Sequence, residues 1–68
     1  MIKIAIDAMG GDNGPSPIIE GLILALKKDK TFTAIAVGKK NELLPLIPNK
    51  FIDRIEILKG SQSSLYGN

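Results

Sequence analysis

Apolar positions in this 68-residue chain switch between near-continuous runs and a helical spacing. Ile2 to Ile6 is apolar except for Lys3 and rich in β-branched residues, the pattern of a strand covered on both faces in a parallel sheet. Residues 8–17 then read as a loop closed by Pro15, Ser16 and Pro17. Ser16 predicts an N-cap with Pro17 at the first helical position, where a missing N–H costs nothing. From there Ile18, Ile19, Leu22, Ile23, Ala25 and Leu26 form a broad apolar face, and Lys27 and Lys28 suit the negative end of a helix. Gly21 interrupts that helix, and a close helix–strand contact is the expected reason. Thr31 to Val37 predicts a second strand ended by Gly38. Asn41 to Ile47 predicts a short helix capped by Asn41, with Pro45 in its first turn and Pro48 as its stop. Residues Arg54 to Leu58 alternate polar and apolar, as in a strand with one wetter face.

The order βαβαβ implies an α/β fold, with three parallel strands joined by right-handed crossovers. The expectation is a Rossmann-like fragment: an α/β half-domain over residues 1–58, then a polar tail over 59–68 with no periodicity.

Composition narrows the chemistry. With 44% hydrophobic residues and 24% charged, the chain matches a soluble globular protein near the lower size limit for a self-sufficient core. It has no cysteine and no histidine, which excludes disulfides, thiolate chemistry, Cys/His zinc sites and a histidine base. No cofactor or metal is expected. The missing cysteines fit a cytoplasmic location, and the N-terminus reads as a strand rather than a signal peptide. The net charge is +2, and the lysines are dispersed without an aromatic platform, which argues against nucleic-acid binding. No apolar run approaches the ~20 residues of a membrane span. Three parallel strands leave two unpaired rims, so a homo-oligomer is a natural outcome.

The segment Asp7-Ala8-Met9-Gly10-Gly11-Asp12-Asn13-Gly14 holds the candidate site. It falls at the carboxyl end of the first strand and before the first helix, where open parallel sheets place phosphate-bearing ligands. Gly10 and Gly11 let a ligand approach the backbone closely. The alternative reading is a structural turn of Gly, Asp and Asn. Asp7 faces the crevice and can position a hydroxyl, a water or a backbone N–H. Asp12 can do the same, or complete an Asx turn before Gly14. A dinucleotide fingerprint is excluded, because the spacing is Gly10-Gly11-x-x-Gly14 and the second strand ends Val37-Gly38-Lys39-Lys40 with no carboxylate for a ribose. Lys39 and Lys40 can neutralise phosphate or stand as a solvated pair.

The opening Ile2 to Asp12, with Gly14-Pro15, Ile18 to Gly21 and Leu24 to Leu26, resembles the start of the bacterial phosphate acyltransferases of phospholipid synthesis, the PlsX family. Val37-Gly38 and Leu44 to Ile47 resemble its next segments. The resemblance implies transfer of a fatty acyl group from acyl carrier protein to inorganic phosphate, giving acyl phosphate. It implies a Rossmann-like fold, frequent dimers and loose association with the membrane. Asp7, Gly10, Gly11 and Asp12 match that family's first glycine loop, which would bind phosphate. Proteins of that family are several times longer, so no turnover is expected from these 68 residues alone. Residues 52–68 separately resemble the plug domain of TonB-dependent outer-membrane receptors. Either two unrelated segments share the strand Arg54-Ile55-Glu56-Ile57, or the tail is a diverged acyltransferase segment.

Overall fold

The computed structural model describes residues 2–59. Three strands, β1 (Ile2–Asp7), β2 (Phe32–Gly38) and β3 (Ile55–Lys59), form one parallel sheet in the order β1-β2-β3. Helix α1 (Ser16–Lys28) links the first two strands. A four-residue helix α2 (Lys40–Leu43) and two 3-10 turns (Leu44–Leu46 and Asn49–Phe51) link the second and third. This is the expected α/β Rossmann-like fragment, with each strand within a residue of its expected bounds. The tail expected at 59–68 lies outside the described residues, except that Lys59 closes β3.

One face of the sheet holds the core. Register places Ile4 and Ile6 beside Ala34 and Ala36, and these beside Ile55 and Ile57. On this side Phe32, Ala34, Ala36 and Ile55 are buried under Ile19, Leu22 and Leu26 of α1 and under Leu43, Ile47 and Phe51. Both crossovers therefore lie on the same side. The other face carries Lys3, Ala5, Thr33, Ile35, Val37, Glu56 and Leu58, and Lys3 reaches Glu56 at 3.7 Å across it. That ion pair is exposed and contributes little to stability.

Several local expectations are corrected. Among the described residues β1 is not covered on both faces: Ile2 to Ala5 are exposed, because β1 lies at the edge of the three described strands and their helices lie on one side of the sheet. Ser16 is not the N-cap: the helix starts with it, Pro15 takes the cap position, and no side chain caps the turn. Gly21 touches nothing, since a Cβ there would meet no atom within 4 Å. Asn41 caps nothing either. The second helix begins at Lys40, and the chain tightens into a 3-10 turn at Leu44 because Pro45 cannot donate to an i−4 carbonyl. Among the described residues no helix is long and apolar enough to cross a membrane.

Candidate functional site at the carboxyl end of β1

The glycine loop leaves the sheet where expected, at the carboxyl end of β1. Ala8 extends the ladder one step by donating its N–H to the Val37 carbonyl at 2.9 Å, and it is fully buried. The Met9 N–H then donates to Asp7 Oδ1 at 3.0 Å, an Asx turn that reverses the chain. A Cβ on Gly10 would lie 3.1 Å from Asp7 Oδ2, so the bare backbone of Gly10 packs onto that carboxylate. Met9 is folded over the end of β2: a Cβ on Gly38 would sit 2.8 Å from Met9 Cγ and 2.9 Å from Leu43 Cδ1. The base of the loop is thus locked to the sheet.

Its tip is open. Gly10, Gly11, Asp12 and Asn13 are exposed, and Gly14 turns the chain toward α1 with φ +79°, a left-handed conformation that favours glycine. Gly11 approaches Ile18 of α1 with ordinary spacing. Asp12 makes no side-chain hydrogen bond among the described residues, so the Asx turn of this loop belongs to Asp7. The structure therefore brings Asp7 and Gly10 into contact, sets Gly11 beside the first turn of α1, and leaves Asp12 free in solvent.

What this arrangement offers is backbone N–H groups. The first turn of α1 leaves its leading amides without intrahelical acceptors. Pro17 has no N–H, and Ile19 already donates to the Pro15 carbonyl at 2.9 Å. Ser16 and Ile18 carry the free amides, at the positive end of the helix dipole. An oxyanion of phosphate size suits such donors, while one oxygen of the nearby Asp7 carboxylate accepts from Met9. Lys39 and Lys40 follow β2 at the same rim; Lys39 reaches Glu42 at 3.8 Å on the exposed surface. No group of three His, Cys, Asp or Glu able to hold a metal ion occurs among the described residues.

A cavity of about 560 Å³ lies at the other end of the sheet, lined by Leu26, Lys27, Lys30, Thr33, Lys50, Phe51, Asp53 and Arg54. It is remote from the glycine loop and is organised by a residue whose role the sequence pattern concealed. Arg54 Nη1 donates to the Leu26 carbonyl at 2.7 Å, while Nη2 donates to the carbonyls of Asp29 at 2.8 Å and Phe32 at 2.7 Å. It thereby caps the end of α1 and fixes the start of β2. Asp29 builds the intervening turn by accepting from the hydroxyl and N–H of Thr31. Those bonds, the hydroxyl first, hold the Asp29 carboxyl below its usual range, with a smaller contribution from Arg54. A lone arginine ahead of a strand carried no sign of this; only the meeting of helix end and strand start reveals it.

Comparison with known proteins decides the family. A family model described as "Fatty acid synthesis protein" matches residues 2–63. The chain belongs to that family. Among members, a phosphate acyltransferase of Aliarcobacter butzleri is 71% identical over 58 residues, covering 85% of this chain and 17% of that protein. One from Sulfurimonas denitrificans is 51% identical over 82 aligned residues, covering 97% of this chain and 24% of that protein. One from Campylobacter jejuni is 52% identical over 69 aligned residues, covering all of this chain and 21% of that protein. The chain thus spans about a fifth of the length of these relatives. No solved structure matches it. The family match runs through β3 to residue 63, and these comparisons lend no support to a receptor-plug resemblance for residues 52–68.

Proposed function

We propose that this chain is the phosphate-handling N-terminal part of an acyltransferase that moves a fatty acyl group from acyl carrier protein to inorganic phosphate. A phosphate oxygen attacks the thioester carbonyl, the C–S bond breaks, and acyl phosphate and the carrier thiol are released. The supporting observation is the loop Asp7 to Gly14, anchored at its base and open at its tip beside the amides of Ser16 and Ile18. Relatives named phosphate acyltransferase match 85% or more of this chain, one of them at 71% identity over 58 residues. In this reading Gly11 admits the phosphate to the backbone, Gly10 packs on the Asp7 carboxylate that shapes the loop, and Asp12 stands at its mouth. Preorganised donors at such a place stabilise charge that develops on the reacting oxygens. The remaining machinery, the carrier-docking surface included, belongs to the part of the longer relatives that this chain does not span. Peripheral association with a membrane and a cytoplasmic setting are parts of the same proposal.

The test grafts residues 2–59 onto the Aliarcobacter butzleri enzyme in place of its matching region, and acyl phosphate is trapped with hydroxylamine. The graft is expected to form acyl phosphate. A Gly11→Val change, which crowds the loop tip against Ile18, is expected to raise KM for phosphate well above its effect on the acyl-carrier KM. An active graft whose phosphate KM is indifferent to Gly11→Val removes the loop from the phosphate site.

A further inference from the structure

The cavity of about 560 Å³ at the amino rim takes no part in the glycine loop, and its size is that of a small-molecule pocket. Its walls come from the last turn of α1, the start of the central strand β2, the 3-10 turn Asn49–Phe51 and the residues just before β3. Arg54 ties these walls together through the carbonyls of Leu26, Asp29 and Phe32, so the frame is set before any ligand arrives. Positive charge is concentrated there. Lys27, Lys30, Lys50 and Arg54 line the cavity against one carboxylate, Asp53, whereas the whole chain carries only +2. The three lysines are exposed, and none is in an ion pair among the described residues. A helix C-terminus disfavours an anion, but here the guanidinium occupies the Leu26 and Asp29 carbonyls and offsets that end of the dipole. Leu26 and Phe51 are almost fully buried and supply an apolar wall, which the lysine stems extend. The Lys50 ammonium lies 5.6 Å from the Phe51 ring centroid, a cation set where apolar wall meets solvent.

We propose that this cavity binds a small organic anion with a short apolar body, its head among Lys27, Lys30 and Lys50 and its body along Leu26 and Phe51. Both halves of the ligand are needed. A bare inorganic anion leaves the apolar wall in water, and a neutral apolar molecule gains nothing from the ammonium groups. The site shares no residue with the glycine loop and lies at the opposite rim of the sheet, so it stands independently of the phosphate reading.

The experiment is NMR titration of the full 68-residue chain with octanoate below its micellar range, beside acetate as the head alone and octanol as the body alone. Octanoate is expected to shift the amides of Lys30, Thr33, Lys50 and Phe51 and to leave residues 10–14 in place. Acetate and octanol are each expected to bind at least about tenfold more weakly. Hexanoate, two methylenes shorter, is expected to bind roughly five- to fifteenfold more weakly. Lys27→Glu with Lys50→Glu, both at exposed positions, is expected to weaken octanoate about tenfold. The same question is then put to the graft of residues 2–59 in the Aliarcobacter butzleri enzyme, a chain of full family length. Calorimetry is expected to find an octanoate site there that the double lysine variant loses, with acyl phosphate formation unchanged. The proposal is overturned if octanoate leaves the pocket amides unmoved, if octanol or acetate matches it, or if the lysine variant binds as the parent does. A site present in the short chain and missing from the graft overturns it too, since another part of the longer enzyme then fills the cavity. Lysine-dependent binding to vesicles of anionic phospholipid, with no response to free octanoate, assigns the charges to a lipid surface and likewise overturns it.

Discussion

Replacing Arg54 with methionine keeps most of the aliphatic stem and removes three hydrogen bonds at once. The guanidinium holds the Leu26, Asp29 and Phe32 carbonyls at 2.7, 2.8 and 2.7 Å. Two of these bonds are partly buried and one is exposed. A hydrogen bond to a charged group contributes roughly 1.5–3 kcal/mol net when shielded, and much less in open solvent. Partial shielding of the two inner bonds brings the whole set to about 2–4 kcal/mol. Loss of a cation at the helix C-terminus acts in the same direction.

Against a total stability of roughly 3–10 kcal/mol for a domain of this size, that is a large share. Thermal unfolding followed by circular dichroism is the assay. At about 4–8 °C per kcal/mol, Arg54→Met should lower Tm by roughly 10–30 °C. Lysine at the same position should recover only part of the loss, because a point charge cannot hold three divergent carbonyls. If Arg54→Met unfolds within a degree or two of the parent, the guanidinium is not what joins α1 to β2, and the reasoning about this junction is wrong.

Three further outcomes follow from the same geometry. Gly21→Ala should stabilise by about 1 kcal/mol, since the site is exposed, an added methyl meets nothing, and alanine favours a helix; denaturant unfolding at unchanged m-value checks it. Gly38→Val should destabilise by about 1–3 kcal/mol through collision with Met9 and Leu43, and should loosen the loop base, visible as faster exchange of the Ala8 amide. Asp29 titrates below its ordinary value of 3.8 in the folded chain, so its contribution is fully present above that value and is lost as pH falls through the lowered one. Thr31→Val removes the largest cause, so NMR titration should find the Asp29 carboxyl closer to 3.8, with a shallower loss of stability in acid.

The strands and the long helix were legible because each announces itself over several residues. The apolar run of Ile2 to Ile6, the helical spacing from Ile18 to Leu26 and the alternation after Arg54 each fall on an observed element. The position of the glycine loop followed directly, since a loop after β1 in a parallel sheet must emerge at the carboxyl rim. What escaped were properties decided between elements. Whether β1 is covered depends on how many helical layers exist, and its composition is the same in either case. Gly21 and Gly38 look alike in sequence, yet one meets open solvent and the other lies under Met9 and Leu43. The Asx turn was expected at Asp12 and a positioning carboxylate at Asp7, and only the path of the chain shows that Met9 donates to Asp7. The role of Arg54 was invisible for the same reason, because its three acceptors lie 22 to 28 residues away.

These long-range contacts divide the work at the carboxyl rim. Gly10 and Gly38 are closed in by neighbours, one by the Asp7 carboxylate and the other by Met9 and Leu43, so their missing side chains hold the loop to the sheet. Gly14 serves the backbone through its positive φ. Gly11 is different: it is exposed, it keeps ordinary distance from Ile18, and no turn demands it. A glycine that neither packing nor conformation requires, beside two free helix amides, is better accounted for by something that approaches the backbone from outside. That is why the phosphate reading rests on Gly11 more than on the carboxylates. It is also why the loop can be rigid enough at its base to be preorganised and still open at its tip.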